Sequence, residues 1–365
     1  MKEQNAFKLL AKVMDWNEEE VRNYLPTLTL LADYKYDHYQ QFSPGKRFIE
    51  SLALWLQRFD MKERIIALKF VFDRLIYISD PEFSHLVQIA YPDLIVHERM
   101  RMVAEEQGIL KHQIGRITQH PRFDELRLKS MYLGLSDGAR TNELRRSSDG
   151  EISNDQIWQA YELGDDKAKE MLEELRKSVS SPNKSPAQFN IVWLIDDFSG
   201  SGHSYIRYDY NEGKYKGKIK KIYERLHKIE LVNKTHHEIY LLLYLATRQA
   251  IDHIEYWSER FTSDNGYKPL HVKVICTLEY ETNLARNWDL NLKNLIENSN
   301  YYDARSHDKH FAVGGTENAK LGFAKCALPV ALSHNTPNNS VYILWGPENL
   351  DFPGLFPRVS RHREF

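Results

Sequence analysis

The stretch that most constrains this chain is residues 189–204, Phe-Asn-Ile-Val-Trp-Leu-Ile-Asp-Asp-Phe-Ser-Gly-Ser-Gly-His-Ser. Residues 191–195 are apolar without alternation and β-branched at several positions, the pattern of a strand buried on both faces of a parallel sheet. Ligands of such sheets sit beyond the carboxyl ends of the strands, so Asp196 and Asp197 are expected at the ligand edge. Ser199, Gly200, Ser201 and Gly202 follow, and residues this small let backbone N–H groups converge on an anion. Ser201 and Ser204 add hydroxyl donors. Two adjacent carboxylates can accept the paired hydrogen bonds of vicinal hydroxyls while the loop takes a phosphate on the same sugar.

Around that strand the pattern alternates. Residues 131–135 form a short apolar strand that enters Ser136, Asp137, Gly138, Ala139 and Arg140, and 154–176 is helical and heavily charged. Beyond the small-residue loop come a helix over 217–227, a strand over 238–245, a helix over 247–260, a strand over 270–278 and a helix over 283–297. Short apolar segments at 330–333 and 341–345 complete the set. Strands alternating with helices predict an α/β fold with a doubly wound, mainly parallel sheet and right-handed crossovers. Residues 6–108 are helical in pattern, with Asn17 and Glu20 as a capping box, 61–78 as a central helix, and Pro26, Pro44, Pro81 and Pro92 as punctuation. The expected division is an all-α N-terminal domain over 1–120 and the α/β domain over 121–365. The serine- and proline-rich 178–186 reads as an exposed loop within the latter.

Composition excludes several classes. With 42% hydrophobic and 12% aromatic residues in a chain of 365, a substantial core can form and a solvated tail is ruled out. A net charge of −2 gives no global nucleic-acid signature. Cys276 and Cys326 are the only cysteines, each in an apolar setting, which fits a reducing cytosol and neither a disulfide framework nor a cysteine zinc site. No apolar run approaches a membrane span and the first residues lack a signal peptide's apolar core, so a cytoplasmic protein without a membrane partner is expected. His236 with His237, and His307 with His310, lack a third ligand at metal-site spacing, and no protein-built metal site is expected. The loop at 199–204 has no lysine before its last serine and follows the acids, which disfavours a nucleotide P-loop. No Gly-x-Ser-x-Gly elbow is present, which disfavours a serine hydrolase. Acidic residues at a strand end also suit phosphoacceptor receiver domains, haloacid-dehalogenase-like phosphatases or a plain loop cap.

Four apolar residues, two acids, two variable residues and then small-Ser/Thr-Gly-x-Ser/Thr resemble the phosphoribosyl pyrophosphate (PRPP) signature of type I phosphoribosyltransferases. The resemblance implies that Asp196 and Asp197 face the ribose hydroxyls while Gly200, Ser201, Gly202, His203 and Ser204 wrap the 5-phosphate. His203 departs from the pattern, which usually has glycine there; a Cβ restricts the left-handed geometry that presents the amides. Such an enzyme needs a second anion loop for pyrophosphate, and 134–140 is the best candidate, with Asp137 and Gly138 as its turn. Arg140, flanked by Arg145 and Arg146, would stabilise the departing charge. The resemblance further implies Mg2+, held mainly by pyrophosphate oxygens and water.

The basic run 214–221 opens the helix after the phosphate loop, where Lys216 and Lys218 would add positive charge near a helix N-terminus. It also reads as a solvated face, and with Tyr205, Tyr208, Tyr210 and Tyr215 interleaved it would suit stacked bases of a nucleic acid. Residues 332–340, Leu-Ser-His-Asn-Thr-Pro-Asn-Asn-Ser, offer His334, Asn335 and Asn338 to a cleft, or form a hydrogen-bonded Asx turn fixed by Pro337. Taken with the acidic pair and Asp137-Gly138-Ala139-Arg140, that run resembles, from about residue 126 onward, a divergent group of phosphoribosyltransferase-related effectors of bacterial conflict and anti-phage systems. The function implied is chemistry on PRPP or a nucleotide at the ribose anomeric carbon, with other defence-system proteins as partners. A catalytically inactive nucleotide sensor and a nucleic-acid-associated accessory protein are the rival readings.

Overall fold

A computed structural model describes residues 2–162, 164–179, 187–233, 235–307 and 309–359. Contacts divide the chain into one unit of Met1–Phe83 with Glu279–Phe365 and another of Ser84–Leu278. That division is discontinuous, whereas the linear reading makes a single cut between 120 and 121.

The first part is helical as expected: α1 (Glu3–Met14), α2 (Glu18–Tyr34), α3 (Phe48–Leu56) and α4 (Met61–Asp73). The capping box at α2 is present, with the Asn17 side chain accepting from the Glu19 and Glu20 N–H groups at 2.9 and 3.0 Å and the Glu20 carboxylate accepting from the Asn17 N–H at 2.9 Å. Pro26 lies inside α2 and does not end it. The helix expected over 61–78 stops at Asp73, because Ile76–Ile78 is strand β1. Its Ile-Tyr-Ile sequence suits a strand, and it pairs in parallel with a segment more than 250 residues on.

Helices α5 (Asp80–Ala90), α6 (His97–Gln107), α7 (Ile114–Thr118) and α8 (Pro121–Leu128) lead into the alternating region. There β2 (Ser130–Gly134), α9 (Thr141–Ser147), β3 (Ile157–Gln159), α10 (Asp165–Ser178), β4 (Ile191–Ser199), the hairpin β5 (Arg207–Asp209) and β6 (Lys214–Lys216), α11 (Lys218–Lys228), β7 (Glu238–Thr247), α12 (Arg248–Asn265) and β8 (Leu270–Leu278) follow in order. The return segment holds α13 (Leu290–Glu297), α14 (Lys309–Val313), β9 (Val330–Leu332) and α15 (Tyr342–Trp345).

Five strands form one parallel sheet in the order β3-β2-β4-β7-β8, the α/β architecture that the alternation predicts. Each residue from Ile191 to Ile195 is at most 1% exposed, and burying a large apolar side chain contributes about 1.5–3 kcal/mol. The pleat sends alternate residues to opposite faces. Met131, Leu133, Val192, Leu194, Ile239, Leu241 and Leu243 pack with Ile219, Ile222 and Leu226 of α11 and with Ile251, Ile254 and Phe261 of α12. On the other face Trp193 stacks on Tyr240 with centroids 4.3 Å apart. Arg101 of α6 donates to the Tyr240 hydroxyl at 2.9 Å and to Glu98 at 2.7 Å, and Glu98 also receives Lys273. Helices therefore cover both faces of the sheet.

Two local expectations are corrected, and the two short apolar segments near the C-terminus receive their places. Residues 154–176 are not one helix: a capped turn at Asn154–Gln156 precedes the β-branched and aromatic Ile157 and Trp158, which form edge strand β3. The helix expected over 283–297 begins only at Leu290, because the Asp289 side chain accepts from the Leu292 N–H at 2.9 Å and caps it there. β9 pairs with β1 in a separate two-stranded sheet. Residues 341–345 contain the single-turn helix α15. Residues 180–186 of the expected exposed loop, and the His310 side chain, lie outside the described residues. No described helix is long and apolar enough to cross a membrane.

Candidate anion-binding site

Strand β4 runs four residues past the apolar core, to Ser199. Its ladder with β2 ends at the Gly134–Ile195 pair, while that with β7 continues through Asp196, Phe198 and Ser199. Asp196 and Asp197 thus belong to a strand whose β2 flank is open to the loop 135–140, and the pleat points them to opposite sides.

Asp196 is 2% exposed. Its Oδ1 accepts the Ser136 hydroxyl and the Asp197 N–H (3.2 Å), and its Oδ2 accepts the Tyr205 hydroxyl and Lys218 Nζ, each at 2.8 Å. Four donors match the roughly four lone-pair sites of a carboxylate. Asp196 is therefore an internal post joining the loop after β2, the end of the small-residue loop and the start of α11. Burial and the Asp197 charge push its carboxyl above the usual aspartate range, against the pull of Lys218 and Ser136. Burial and Asp196 raise the Tyr205 hydroxyl far above its ordinary value, so it remains a donor.

Asp197 is only half-buried. Its Oδ1 accepts the Phe198 N–H at 2.8 Å, and its Oδ2 lies so close over Gly138 that any Cβ there would collide with it. The short turn Asp137–Ala139 is thereby set against the carboxylate, with Asp137 exposed. Arg140 then takes a left-handed φ of 47° and places Nη1 3.2 Å from Glu143 Oε2 in the first turn of α9.

The small-residue loop is fixed from below. Thr247, which caps α12 by accepting the Ala250 N–H at 3.0 Å, donates its hydroxyl to the Gly200 carbonyl at 2.7 Å. The Gly202 carbonyl accepts the Tyr205 and Ile206 N–H groups at 3.0 and 3.4 Å, and the Ser204 carbonyl accepts the Lys218 N–H at 3.1 Å. Gly202 has φ +78°, and a Cβ on it would lie 2.9 Å from both the Ala250 carbonyl and the His253 ring. The left-handed residue is therefore Gly202; His203 has no positive φ, so its side chain brings no backbone strain. His203 Nδ1 donates to the Ser201 carbonyl at 3.1 Å, and its ring stacks on His253 at 4.1 Å. His253 Nε2 donates to the Ile206 carbonyl at 2.9 Å, and burial with the neighbouring His203 holds its pKa down at about 4. Among the described residues no acceptor meets the backbone N–H of Ser201, Gly202 or Ser204. Carbonyls tied inward and amides left over give the loop the polarity of an anion cradle.

The remaining expected positions fall elsewhere. Lys216 is bound to Asp209 at 2.7 Å and to Glu212 on the β5–β6 hairpin. Asn335 and Asn338 belong to the unit that does not contain Asp196; Asn335 is 8% exposed, and the Asn338 carbonyl accepts the Phe323 N–H at 2.7 Å. Sequence reasoning missed Ser136 and Tyr205 as partners of Asp196, and Thr247 and His253 as supports of the loop. Thr247 carries a local signal, since a threonine between an apolar strand and a helix is an N-cap pattern; the other three are set by tertiary placement alone.

A parallel five-stranded sheet with an acidic pair and an amide-rich loop at the carboxyl end of its central strand is a phosphoribosyltransferase-like α/β architecture. The sequence pattern of the PRTase-CE family matches residues 52–358, most of the chain, and the protein belongs to that family. No curated protein and no solved structure matches the chain.

Proposed function

We propose that this protein is an enzyme that binds PRPP or a nucleotide and makes or breaks a bond at the ribose anomeric carbon. The observation that carries this reading is the loop with backbone N–H groups left over at Ser201, Gly202 and Ser204, beside a half-buried carboxylate at Asp197. The 5-phosphate sits on residues 199–204, receiving those amides and the serine hydroxyls. Asp197 accepts the ribose hydroxyls. Asp196, already holding four donors, positions the loops instead of touching the sugar. Arg140 and the turn at Asp137 and Gly138 receive the diphosphate. As the C1–O bond breaks, its electron pair leaves with pyrophosphate, a nitrogen base or water forms the new bond to C1 and releases its proton to solvent, and preorganised positive charge around the departing group lowers the barrier.

Among the described residues no three His, Cys, Asp or Glu side chains converge to hold a metal. Magnesium would enter with the substrate, Asp197 or Asp137 would offer it a carboxylate, and it would neutralise charge on the departing group. The role as an effector in bacterial anti-phage defence follows the resemblance to conflict-system proteins. A second reading, binding without turnover, is favoured by the saturation of Asp196, which leaves one carboxylate for the sugar. The two separate in 31P NMR of the full-length protein with magnesium and PRPP. Shifted 5-phosphate resonance with pyrophosphate growing faster than in protein-free buffer, water taking the C1 that pyrophosphate leaves, supports the enzyme; a shift without pyrophosphate supports the sensor; no shift with PRPP and none with a nucleoside 5′-monophosphate removes both.

A further inference from the structure

Beside the proposed cradle, but outside it, lies a cavity of about 540 Å³ whose wall includes one face of α11. Lys218, Lys221, Ile222 and Arg225 on that wall are spaced i, i+3, i+4 and i+7, so they share one side of the helix. Ile219, Tyr223 and Leu226 on the neighbouring stripe are buried in the core and hold that side in place. Leu135 and Ile222 give the cavity an apolar floor, and the aromatic Tyr161, 69% exposed, stands on its rim. Among the described lining residues Lys218, Lys221 and Arg225 are cationic and Glu162 is acidic, and Lys221 has no acidic partner among the described residues. The size falls in the range of small-molecule sites, and a row of cations beside an apolar floor and an aromatic ring matches a ligand with a diphosphate at one end and a base at the other.

We propose that this cavity is a second site, for a nucleoside 5′-diphosphate or triphosphate, coupled to the cradle through Lys218. Lys218 lines the cavity, and its ammonium holds Asp196 Oδ2 at 2.8 Å. Leu135, on the floor, directly precedes the Ser136 that donates to the same carboxylate. A polyphosphate in the cavity draws Lys218 off Asp196, removes one of the four donors from the post, and loosens the loop it supports. Nucleotide in the cavity therefore weakens ligand binding at the cradle, and by linkage the reverse holds equally. The site stands without the phosphoribosyl reading; only the coupling rests on it.

The test is isothermal titration of the full-length protein with ADP, inorganic pyrophosphate and magnesium PRPP. ADP is expected to bind the wild type more tightly than pyrophosphate. Lys221→Glu, an exposed position, should weaken ADP by about tenfold or more through charge reversal, and Tyr161→Ala should weaken it less. Both should leave PRPP affinity within about twofold, since neither touches the cradle. Gly202→Ala should reduce PRPP binding and spare ADP. The proposal is overturned by no ADP binding to the wild type, by unchanged ADP affinity in Lys221→Glu, by equal affinities for ADP and pyrophosphate, or by joint loss of ADP and PRPP in Gly202→Ala. Saturating ADP that leaves PRPP affinity unchanged overturns the coupling. Lys221-dependent ADP binding without any PRPP binding would keep the second site and sink the phosphoribosyl reading.

Discussion

Two polar runs follow two parallel strands: 333–340 after β9 in one unit, and 196–204 at the end of β4 in the other. In the first, Ser333, Thr336 and Ser340 are 0% exposed. Thr336 donates to the Phe356 carbonyl at 2.9 Å, Ser340 to the Val330 carbonyl at 2.6 Å and Asn339 to the Phe323 carbonyl at 3.3 Å. Tyr39 accepts the Thr336 N–H at 3.2 Å and donates to the Pro357 carbonyl at 2.7 Å, while Gln40, Gln41 and Arg358 donate to the carbonyls of Ser333, His334 and Thr336. That run is a knot tying three stretches of chain together. In the second, the carbonyls are bonded inward and the amides of Ser201, Gly202 and Ser204 are not used. Polar density alone thus does not separate a scaffold from a site; in the first run Thr336 and Ser340 spend their hydroxyls on carbonyls, and in the second the described bonds use the carbonyls and none of the serine hydroxyls.

The comparison breaks most visibly at Asp196. Asp196→Asn should cost about 1–3 kcal/mol in chemical denaturation, because the amide nitrogen it introduces cannot accept from the donors that converge on the buried carboxylate. Asp197→Asn should cost less stability than Asp196→Asn while lowering PRPP affinity at least about tenfold; equal stability of the two variants would remove Asp196 as a post. Gly202→Ala should follow, with about 2 kcal/mol of strain from a left-handed residue pressed against the Ala250 carbonyl and His253. A crystal structure of that variant with an unmoved loop would contradict the close approach. Thr336→Val should cost about 1–2 kcal/mol by leaving the Phe356 carbonyl with one donor fewer, with PRPP affinity unchanged in titration.

The smallest effect is on pH. The folded pKa of His253, about 4, lies below its ordinary 6.5, so the unfolded chain takes up the proton first. Its contribution is present in full above pH 6.5 and is lost as pH falls toward 4. Wild type should lose stability relative to His253→Asn across that window, as read from denaturation midpoints; parallel pH profiles would contradict the neutral, buried ring.

Much of this was legible in the sequence because it is local. The unbroken apolar residues 191–195 announce a buried parallel strand, the β-branched residues within 270–278 announce a further strand, and Asn17 with Glu20 announces a cap. What was not legible depends on partners distant in the chain. Ile76–Ile78 continues a helical pattern until β9 offers it a ladder, and Ile157–Gln159 hides inside a charged helical stretch until β2 pairs with it. The acidic pair was visible as a pair, but its asymmetry was not: Ser136, Tyr205 and Lys218 reach Asp196 from three separate elements. Likewise, His203 looked like a violation of a glycine pattern, and the backbone resolves it by placing the left-handed turn one residue earlier, at Gly202.

The central claim is that residues 196–204 form an open phosphate cradle while 333–340 form a closed scaffold. Isothermal titration with magnesium and PRPP on wild type, Asp197→Asn and Thr336→Val tests it most directly. The expected result is binding by wild type and Thr336→Val and its loss in Asp197→Asn. No binding by folded wild type, or equal loss in Asp197→Asn and Thr336→Val, would contradict it.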